Sequence, residues 1–520
     1  MRSETPLFSL SLMKKNHPLP GMYGHLFVWI FLLAGFAILH GQPADMDQLK
    51  ALKLRSIGPA GMSGRVTAIG VVHKDPRVIY VGTASGGLWK SESGGAEWAP
   101  IFDDQAVAAI GALAVCQSNP DIIWVGTGEG NPRNSQNNGY GVYRSLDGGR
   151  TWQLMGLEKT RNIHRVIIHP HNPDIVYVGA QGAAWGEHSE RGVYKTTDGG
   201  KTWNQILYIN EKTGIGDLVM DPVNPNKLIA AMWEFRRWPW FFKSGGPGSG
   251  LHITFDGGAS WQQRTEKDGL PAGELGRMGI AIAPSDPKRV YAYVESSQNA
   301  IYRSDDGGFK WKKMDTGNNA GNRPFYYAEI YVDPANENRV YSIHTTITLS
   351  EDGGKSFEEF VPYRSYSGLH PDHHAFWIHP DDPNFIIEGN DGGLGISRDR
   401  GLTWRFVENL PVAQFYHINV DNDFPYNLYG GMQDNGSWRG PAYVFRYGGI
   451  RNSYWDEVSF GDGFDVAPDP EYPQQGYTMY QGGNLLRYDL RTGSNRSIRP
   501  VHPDGNILRF NWNAALALDP

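Results

Sequence analysis

One eight-residue pattern, Ser/Thr-x-Asp-Gly-Gly-x-Thr/Ser-Trp, recurs along the chain and constrains its fold more than any other feature. Three clear copies begin at Ser145, Thr196 and Thr254. Three weaker copies begin at Ser304, Ser350 and Ser397, and a degenerate copy begins at Ser91. By subtraction of residue numbers, the aspartates of the first six copies lie 46 to 58 residues apart. This period is typical of the four-stranded blade of a β-propeller.

A second pattern keeps step with the first. An apolar strand, a proline-containing turn and another apolar strand begin at Val71, Ile167 and Ile280. Each repeat therefore predicts four strands, and the strand-turn-strand half persists at 415–430 and 463–480 and starts again at 513–520. The sequence predicts an all-β fold: a single large β-propeller over 42–520 with about nine blades and the start of a tenth, incomplete at its C-terminus.

The composition agrees with many short strands and tight turns. The 520 residues include 65 Gly, 33 Pro and 17 Trp, and aromatic residues make up 12%. The formal net charge is -7, and Lys and Arg form no block. A nucleic acid is therefore not expected as a partner.

The N-terminal residues have the pattern of an export signal. Lys14 and Lys15 precede an apolar run from Leu26 to Leu39, and Gly41 suits cleavage. We predict a signal peptide over 1–41 and a secreted, periplasmic or cell-surface protein with no membrane span after cleavage; an uncleaved anchor is the alternative. Cys116, the only cysteine, lies in an apolar string and is expected to be a buried structural thiol.

The repeated aspartates have a mechanical explanation. Paired glycines permit φ > 0 in a tight turn, while the Asp carboxylate can accept hydrogen bonds from turn amides. Residues of this kind shape hairpin turns, and we do not expect them to take part in catalysis. We therefore predict a structural role for Asp147, Asp198, Asp256, Asp306, Asp352 and Asp399.

Further strings give the chain a family resemblance. They are Gly126–Glu129 with Arg133–Ser135, Ser244–Gly250, Gly389–Gly393 and Gln433–Ser437. With the repeat, they resemble the bacterial Asp-box (BNR-like) proteins related to the sortilin propeller and often labelled glycosyl hydrolases. The resemblance implies a ten-bladed ring that binds peptides or proteins in a central tunnel. Sortilin's cysteine-rich region and membrane span have no counterpart here, so receptor sorting is not carried over.

Two hydrolase groups share the repeat. Sialidases carry an Arg-Ile-Pro string near the first strand, whereas Arg65-Val66-Thr67 stands here, which disfavours that activity. The xyloglucan-active endoglucanases, which have two seven-bladed rings, resemble the chain in repeat pattern. Their chemistry requires two carboxylates that face each other across a cleft.

Polar residues enter the predicted inner strands, where propellers usually bind ligands. Arg65, Arg165 and Arg277, with His373 and His374, are candidates for a rim that holds carboxylates or polar ligands. The alternative is that they pair with carboxylates of neighbouring blades. Adjacent strand residues point to opposite faces, so we predict no metal site at the His pair and no cofactor.

Three segments depart from the repeat. The loop from Glu129 to Asn138 contains a lone carboxylate, which makes Glu129 a candidate acid or base. An aromatic insertion carries Trp238 and Trp240, which could bind a ligand or plug the ring. Asp434, in a polar turn, is a second catalytic candidate or simply a turn former.

The leading expectation is an exported, non-enzymatic propeller that recognises a protein, peptide or polysaccharide through its central face. The alternative is a glycoside hydrolase, similar to an endoglucanase or xyloglucanase, that uses a carboxylate pair. The carboxylates that could form such a pair are Glu129, Asp391, Asp434 and Asp462.

Overall fold

The computed structural model describes residues 52, 55–58, 63–133, 135–315, 317–362 and 368–519. All the elements below lie in one compact unit, Ile57–Pro520. The predicted signal peptide over 1–41 lies outside the described residues. Within the described part, no helix has the length and apolar character needed to cross a membrane.

The described chain forms nine sheets, each built on four consecutive antiparallel strands. We call them blades 1 to 9. Blade 1 comprises β1 (Val66–Val71), β2 (Ile79–Thr83), β3 (Leu88–Ser91) and β4 (Ala99–Pro100). Blade 2 comprises β5 (Ile110–Val115), β6 (Ile123–Thr127), β7 (Val142–Ser145) and β8 (Gln153–Leu154). Blade 3 comprises β9 (Ile163–Ile168), β10 (Val176–Ala180), β11 (Gly192–Thr196) and β12 (Asn204–Leu207).

Blade 4 contains one extra strand, β15, which pairs only with β14. It comprises β13 (Thr213–Met220), β14 (Leu228–Trp238), β15 (Phe241–Ser244), β16 (Gly250–Thr254) and β17 (Gln262–Arg264). Blade 5 comprises β18 (Met278–Ile282), β19 (Val290–Val294), β20 (Ala300–Ser304) and β21 (Lys312–Lys313). Blade 6 comprises β22 (Ile330–Asp333), β23 (Asn336–Ile343), β24 (Ile347–Ser350) and β25 (Glu358–Val361).

Blades 7 to 9 continue the pattern. Blade 7 comprises β26 (His373–Ile378), β27 (Ile386–Asn390), β28 (Gly393–Ser397) and β29 (Arg405–Phe406). Blade 8 comprises β30 (Phe415–Val420), β31 (Asn427–Met432), β32 (Ser437–Pro441) and β33 (Asp456–Ser459). Blade 9 comprises β34 (Gly463–Pro468), β35 (Gln475–Tyr480), β36 (Asn484–Asp489) and β37 (Ser494–Ser497). Short 3-10 helices lie at Glu158–Thr160, Glu266–Asp268, Asn318–Ala320 and Asn452–Tyr454.

The repeated aspartates lie in the turn between the third and fourth strands of their blades. Asp147 accepts hydrogen bonds from the backbone N–H of Arg150 (3.0 Å) and of Thr151 (2.9 Å), and from the Thr151 hydroxyl (2.6 Å). These bonds, that of the Thr151 side chain first, lower the pKa of Asp147 to about 2. The Trp152 indole then donates to the Ile101 carbonyl of the preceding blade at 2.6 Å. The motif therefore shapes a hairpin and links neighbouring blades.

The first seven blades close into a ring. Between consecutive blades, a β-branched residue of an inner strand packs on a glycine of the preceding blade's second strand: Ile110 on Gly82, Ile163 on Gly126 and Ile215 on Gly179. Val66 of blade 1 packs in the same way on Gly389 of blade 7, so blade 7 is followed in space by blade 1.

A shared core and one backbone bond complete the closure. Val66 and Val81 of blade 1 form one buried apolar cluster with Ile387 and Leu394 of blade 7. The Ser63 N–H donates to the carbonyl of Gly392 at 2.8 Å. Blades 8 and 9 share a separate core, which includes Tyr429 and Val466.

The structure confirms the all-β class and the four-stranded blades, nine in number, but corrects their arrangement. The nine do not form one ring, because Val66 occupies the place beside blade 7 that an eighth blade would take. The strand predicted to begin a tenth blade at 513–520 is also wrong for the described residues 513–519, which form no strand. This segment instead runs past blade 8, where the Asn513 amide lies 3.1 Å from the ring of His417.

Ring closure makes a specific prediction about coupled substitutions. An added methyl at Gly389 would lie 2.4 Å from Cγ1 of Val66, so Gly389→Ala should destabilise the protein. Val66→Ala removes that carbon, and the double variant should be more stable than the sum of the two effects, by about 0.5 to 3 kcal/mol. Urea denaturation of the four proteins measures this interaction energy.

The matched control is Gly126→Ala, whose added methyl would meet Ile163 at 2.3 Å. Its effect should add to that of Val66→Ala, since Val66 does not pack on Gly126. Strict additivity of Gly389→Ala and Val66→Ala would contradict the closure.

Candidate functional site

Residues from four blades converge at one end of the ring. In an antiparallel blade, the start of the first strand and the end of the second lie at the same edge. Arg65 precedes β1, Glu129 follows β6, and Asp391 follows β27 directly. Asp434, which follows β31 of blade 8, reaches the same place.

Arg65 is the centre of this group. Its Nε donates to Asp391 Oδ1 at 2.5 Å and its Nη1 to Glu129 Oε1 at 2.5 Å. Its Nη2 donates to Asp434 Oδ2 at 3.3 Å. The side chains of Arg65, Glu129 and Asp391 are at most 1% exposed, whereas that of Asp434 is 14% exposed. Asp434 is thus the carboxyl group of this set that solvent reaches.

Two further side chains complete what we call the Arg65 cluster. His374 Nε2 lies 2.8 Å from Asp391 Oδ1, and the Tyr326 hydroxyl donates to Asp391 Oδ2 at 2.8 Å. The Arg65 guanidinium lies 5.5 Å from the centroid of the Tyr326 ring. Asp391 is therefore surrounded by donors, as a buried carboxylate requires. The cluster comprises Arg65, Glu129, Tyr326, His374, Asp391 and Asp434.

The three carboxyl groups differ in charge. Burial raises the pKa of Asp391, but Arg65 and His374 outweigh it and hold that pKa well below its usual range. Burial and the charge of Asp391 raise the pKa of Asp434 well above its usual range. Burial also raises the pKa of Glu129, against the effect of Arg65. Arg65 and His374 thus lower the pKa of Asp391, whereas the pKa values of Asp434 and Glu129 are raised.

The contacts of Glu129 agree with a neutral carboxyl group. Within the described part of the chain, nothing hydrogen-bonds to its buried Oε2 atom. A charged oxygen without a partner would be costly there. The loop that carries Glu129 is held by the side-chain amide of Asn162, which donates to the Glu129 carbonyl at 2.8 Å.

The Asp434 turn has an uncommon backbone. Asp434 adopts a left-handed conformation with φ of 62°, and its N–H donates to Asp462 Oδ1 at 2.8 Å. The other oxygen of Asp462 accepts a bond from the Trp512 indole at 2.8 Å. The turn is therefore fixed by a second carboxylate, which comes from the start of blade 9.

The same turn joins blade 8 to the ring. The Asn435 amide donates to the Asp391 carbonyl at 2.9 Å, and His370 Nε2 lies 3.1 Å from the Asp434 carbonyl. The Ser135 hydroxyl donates to the side chain of Gln433. These contacts place the exposed edge of Asp434 where the ring meets blade 8.

A second buried cluster surrounds Glu329. Arg277 donates to it at 2.6 Å, and His164 and Arg165 lie 3.3 and 3.8 Å away. Arg165 also pairs with Asp217 at 2.7 Å. Arg277 and Glu329 form a buried ion pair. Burial and the charge of Arg165 lower the pKa of His164 to about 3.

The candidate rim residues thus all have internal partners. Arg65, Arg165 and Arg277 contact carboxylates of other blades, which is the alternative that the sequence left open. His373 and His374 point to opposite faces: His373 lies 2.7 Å from Glu388, whereas His374 faces Asp391. Among the residues that the structure describes, no group of three His, Cys, Asp or Glu side chains could hold a metal ion.

The aromatic insertion is a hairpin of β14 and β15 with two environments. At its base, Trp233 is buried. At its tip, Trp240 is 82% exposed and Phe241 57% exposed, and Trp238 lies beside Phe241. Arg237 of the hairpin donates to the Pro132 carbonyl at 3.0 Å and so contacts the Glu129 loop. The insertion both packs into the ring and exposes aromatic faces.

Three residues of the two clusters are not among the candidates predicted from the sequence: Asp217, Tyr326 and Glu329. Asp217 lies within the inner strand β13 and Glu329 directly precedes the inner strand β22, each next to a buried apolar residue. A charged residue in that position must find a buried partner, and this signal could have identified both. Tyr326 precedes its strand in an irregular segment, where no pattern marks it.

The chain is similar in sequence to several known proteins. The model of the Sortilin-Vps10 family (Sortilin, neurotensin receptor 3) matches residues 140–271. A xyloglucanase of Paenibacillus sp is 25% identical over 249 residues, which cover 45% of this chain and 19% of that protein. An oligoxyloglucan-reducing end-specific xyloglucanase of Emericella nidulans is 24% identical over 227 residues, which cover 36% of this chain and 26% of that protein. The matches therefore span about a fifth to a quarter of the length of these two relatives.

Among solved structures, an ancestral GH74 enzyme superimposes with a TM-score of 0.50 at 15% identity, over 84% of this chain and 69% of that one. The fold and the site define a β-propeller protein of four-stranded blades whose ring end carries a buried carboxylate cluster. Within that class, the chain is similar over part of its length to the Sortilin-Vps10 family and to two xyloglucanases, which confirms the resemblance seen in its sequence.

The charge assignment in the Arg65 cluster predicts how stability depends on pH. A carboxyl group whose pKa is raised by folding stabilises the protein while it is protonated, and that stability is lost as the pH rises through its folded pKa. Asp434→Asn removes the titration of one such group. Above the ordinary carboxyl range, the free energy of unfolding should therefore fall less steeply with pH in the variant, by up to about 1.4 kcal/mol per pH unit.

Urea denaturation at a series of pH values measures the two slopes. The matched control is Asp104→Asn, which removes an exposed carboxyl group. The slope measured for this variant should equal that of the wild-type protein. Parallel curves for the wild-type protein and Asp434→Asn would contradict a raised pKa at Asp434.

Proposed function

We propose that this propeller is a glycoside hydrolase whose acid is Asp434. The observation that carries the proposal is the gathering of three carboxyl groups around one guanidinium, of which only Asp434 reaches solvent. The pKa of Asp434 is also raised. Hydrolysis of a glycosidic bond requires a proton donor and a second carboxylate within about 5 to 9.5 Å. The Arg65 cluster concentrates such groups where the ring meets blade 8.

Asp434 has the properties of a general acid. A carboxyl group donates a proton near neutral pH only when its pKa is raised, and burial beside Asp391 does this here. In the proposed reaction, Asp434 gives its proton to the glycosidic oxygen while the bond from that oxygen to the anomeric carbon breaks. The left-handed turn and its bond to Asp462 fix the direction of the acid.

Asp462 is the proposed second carboxylate. Its Oδ1 lies 2.8 Å from the Asp434 backbone nitrogen, so the two side chains belong to adjoining turns. The indole of Trp512, itself 53% exposed, donates to Oδ2. In the proposed reaction, Asp462 accepts a proton from the water that adds to the anomeric carbon.

Glu129 receives a supporting role in this proposal. The sequence made Glu129 the first candidate for the acid, but its side chain is buried and bound to Arg65. It can position Arg65 without touching a substrate. The proposal therefore moves the acid from Glu129 to the second candidate, Asp434.

The relatives favour this activity over the binding-only alternative, which was the leading expectation from sequence. Two of them are named xyloglucanases, and the solved structure reported above is a GH74 enzyme. An exported protein that binds a polysaccharide without cleaving it stays the competing proposal. The exposed Trp240 and Phe241 would serve either function.

Activity measurements separate the two proposals. Release of reducing ends from a panel of neutral and acidic polysaccharides should be detectable with the wild-type chain and should fall by about 10²- to 10⁴-fold in Asp434→Asn, because the proton donor is lost. Activity should also fall as the pH rises through the raised pKa of Asp434. Glu129→Gln should retain far more activity than Asp434→Asn.

Asp104→Asn is again the matched control and should retain full activity. No release of reducing ends from any substrate, together with binding of one of them, would favour the binding-only propeller. A variant Asp434→Asn with unchanged activity would overturn the assignment of the acid.

A further inference from the structure

Arg133 lies near the proposed acid: the charges of Asp434 and Asp391 help raise its pKa, and no carboxylate of the described residues is hydrogen-bonded to its guanidinium. It belongs to the loop that follows Glu129, and the adjacent Ser135 contacts the Asp434 turn through Gln433. Its guanidinium lies 4.8 Å from the centroid of the buried Tyr326 ring. Within the described part of the chain, no carboxylate or carbonyl accepts a hydrogen bond from that guanidinium.

Other cations gather around the same ring. The guanidinium of Arg323 lies 5.0 Å from the Tyr326 centroid, and its side chain is 33% exposed. Arg237 holds the carbonyl of Pro132, the residue before Arg133. Burial and the charge of Arg133 lower the pKa of Arg237, which shows that the two guanidinium groups repel each other.

The cations of this region differ in their partners. Arg65 is hydrogen-bonded to three carboxyl groups of the cluster. Arg323 has Asp372 at 3.8 Å, and that carboxylate also accepts a bond from the Tyr327 hydroxyl. Among the described residues, Arg133 keeps a guanidinium with no hydrogen-bonded carboxylate, near the one carboxyl group of the cluster that solvent reaches.

Exposed aromatic faces lie on a hairpin that contacts the residue before Arg133. The hairpin that contacts Pro132 through Arg237 carries Trp240 and Phe241, which are 82% and 57% exposed. An exposed aromatic face suits the apolar side of a sugar ring, and a guanidinium suits a carboxylate. A polymer that offers both groups is an acidic polysaccharide.

We infer that Arg133 selects a glycan that carries carboxylates, namely a uronate-containing polysaccharide. The inference rests on the proposed function, since it names the substrate class of the same site. Arg133 binds a sugar carboxylate next to the bond presented to Asp434, and Arg323 adds a second, partly offset charge. An acidic peptide offers the carboxylate but not the sugar faces that fit the exposed aromatic residues.

Calorimetric titration tests this inference on the full chain with Asp434→Asn, which prevents turnover. The two probes are α-1,4-linked trigalacturonate and its fully methyl-esterified form, which has the same sugar backbone but replaces each charged carboxylate with a neutral methyl ester. The acid should bind at least about tenfold more tightly than the ester, as expected for one lost charge-assisted contact, and the preference should weaken as salt rises. Adding Arg133→Met should abolish the preference, whereas Arg133→Lys should keep part of it.

The matched control is Arg150→Met, because Arg150 is an exposed arginine of a blade turn and should leave the preference intact. Methionine retains the apolar stem over Tyr326, and equal unfolding midpoints for the variants exclude a general loss of structure. Equal affinity for acid and ester, a preference that survives Arg133→Met, or binding of hexaglutamate in place of trigalacturonate would each overturn the inference. A charge preference without any release of reducing ends would overturn the proposed hydrolase and leave the role of Arg133 standing.

Discussion

The contact between Arg65 and its three carboxyl partners holds together parts of the chain that are far apart in sequence. Arg65 precedes the first strand of blade 1, Asp391 directly follows the second strand of blade 7, and Glu129 follows the second strand of blade 2. The same guanidinium reaches Asp434 of blade 8. Because these carboxyl groups crowd one another in a buried place, burial and the charge of Asp391 raise the pKa of Asp434. Arg65 therefore adds an ionic link to the apolar contacts that close the ring and to the hydrogen bonds that join blade 8 to it.

The fold could be predicted largely from repeats, because each blade satisfies its own backbone hydrogen bonds and places its turns locally. The aspartate turns and the apolar strands carry that information in short windows, and the count of nine blades follows from them. The number of blades in the ring cannot be read in this way. It depends on whether Val66 packs on Gly389 or a further blade intervenes, and this contact joins residues that lie 323 positions apart by subtraction of their numbers.

The candidate site was predictable in part for a similar reason. Arg65, Glu129 and Asp434 stand out as polar residues at strand ends or in departures from the repeat, and the structure brings all three together. Their relative roles depend on burial, which sequence does not show: Glu129 is enclosed, whereas Asp434 keeps an exposed edge. Trp238 and Trp240 lie on a hairpin whose Arg237 donates to the Pro132 carbonyl of the Glu129 loop.

The central claim is that the pKa of Asp434 lies well above its usual range while that of Asp391 lies well below it. Carbon NMR of the full chain with labelled aspartate carboxyl groups tests it most directly, with Asp434→Asn used to assign the resonance. The account predicts that the Asp434 signal keeps the position of a protonated carboxyl group well above the usual aspartate pKa of about 3.9, and that the Asp391 signal stays ionised well below it. An Asp434 signal that titrates near that ordinary value would contradict the account.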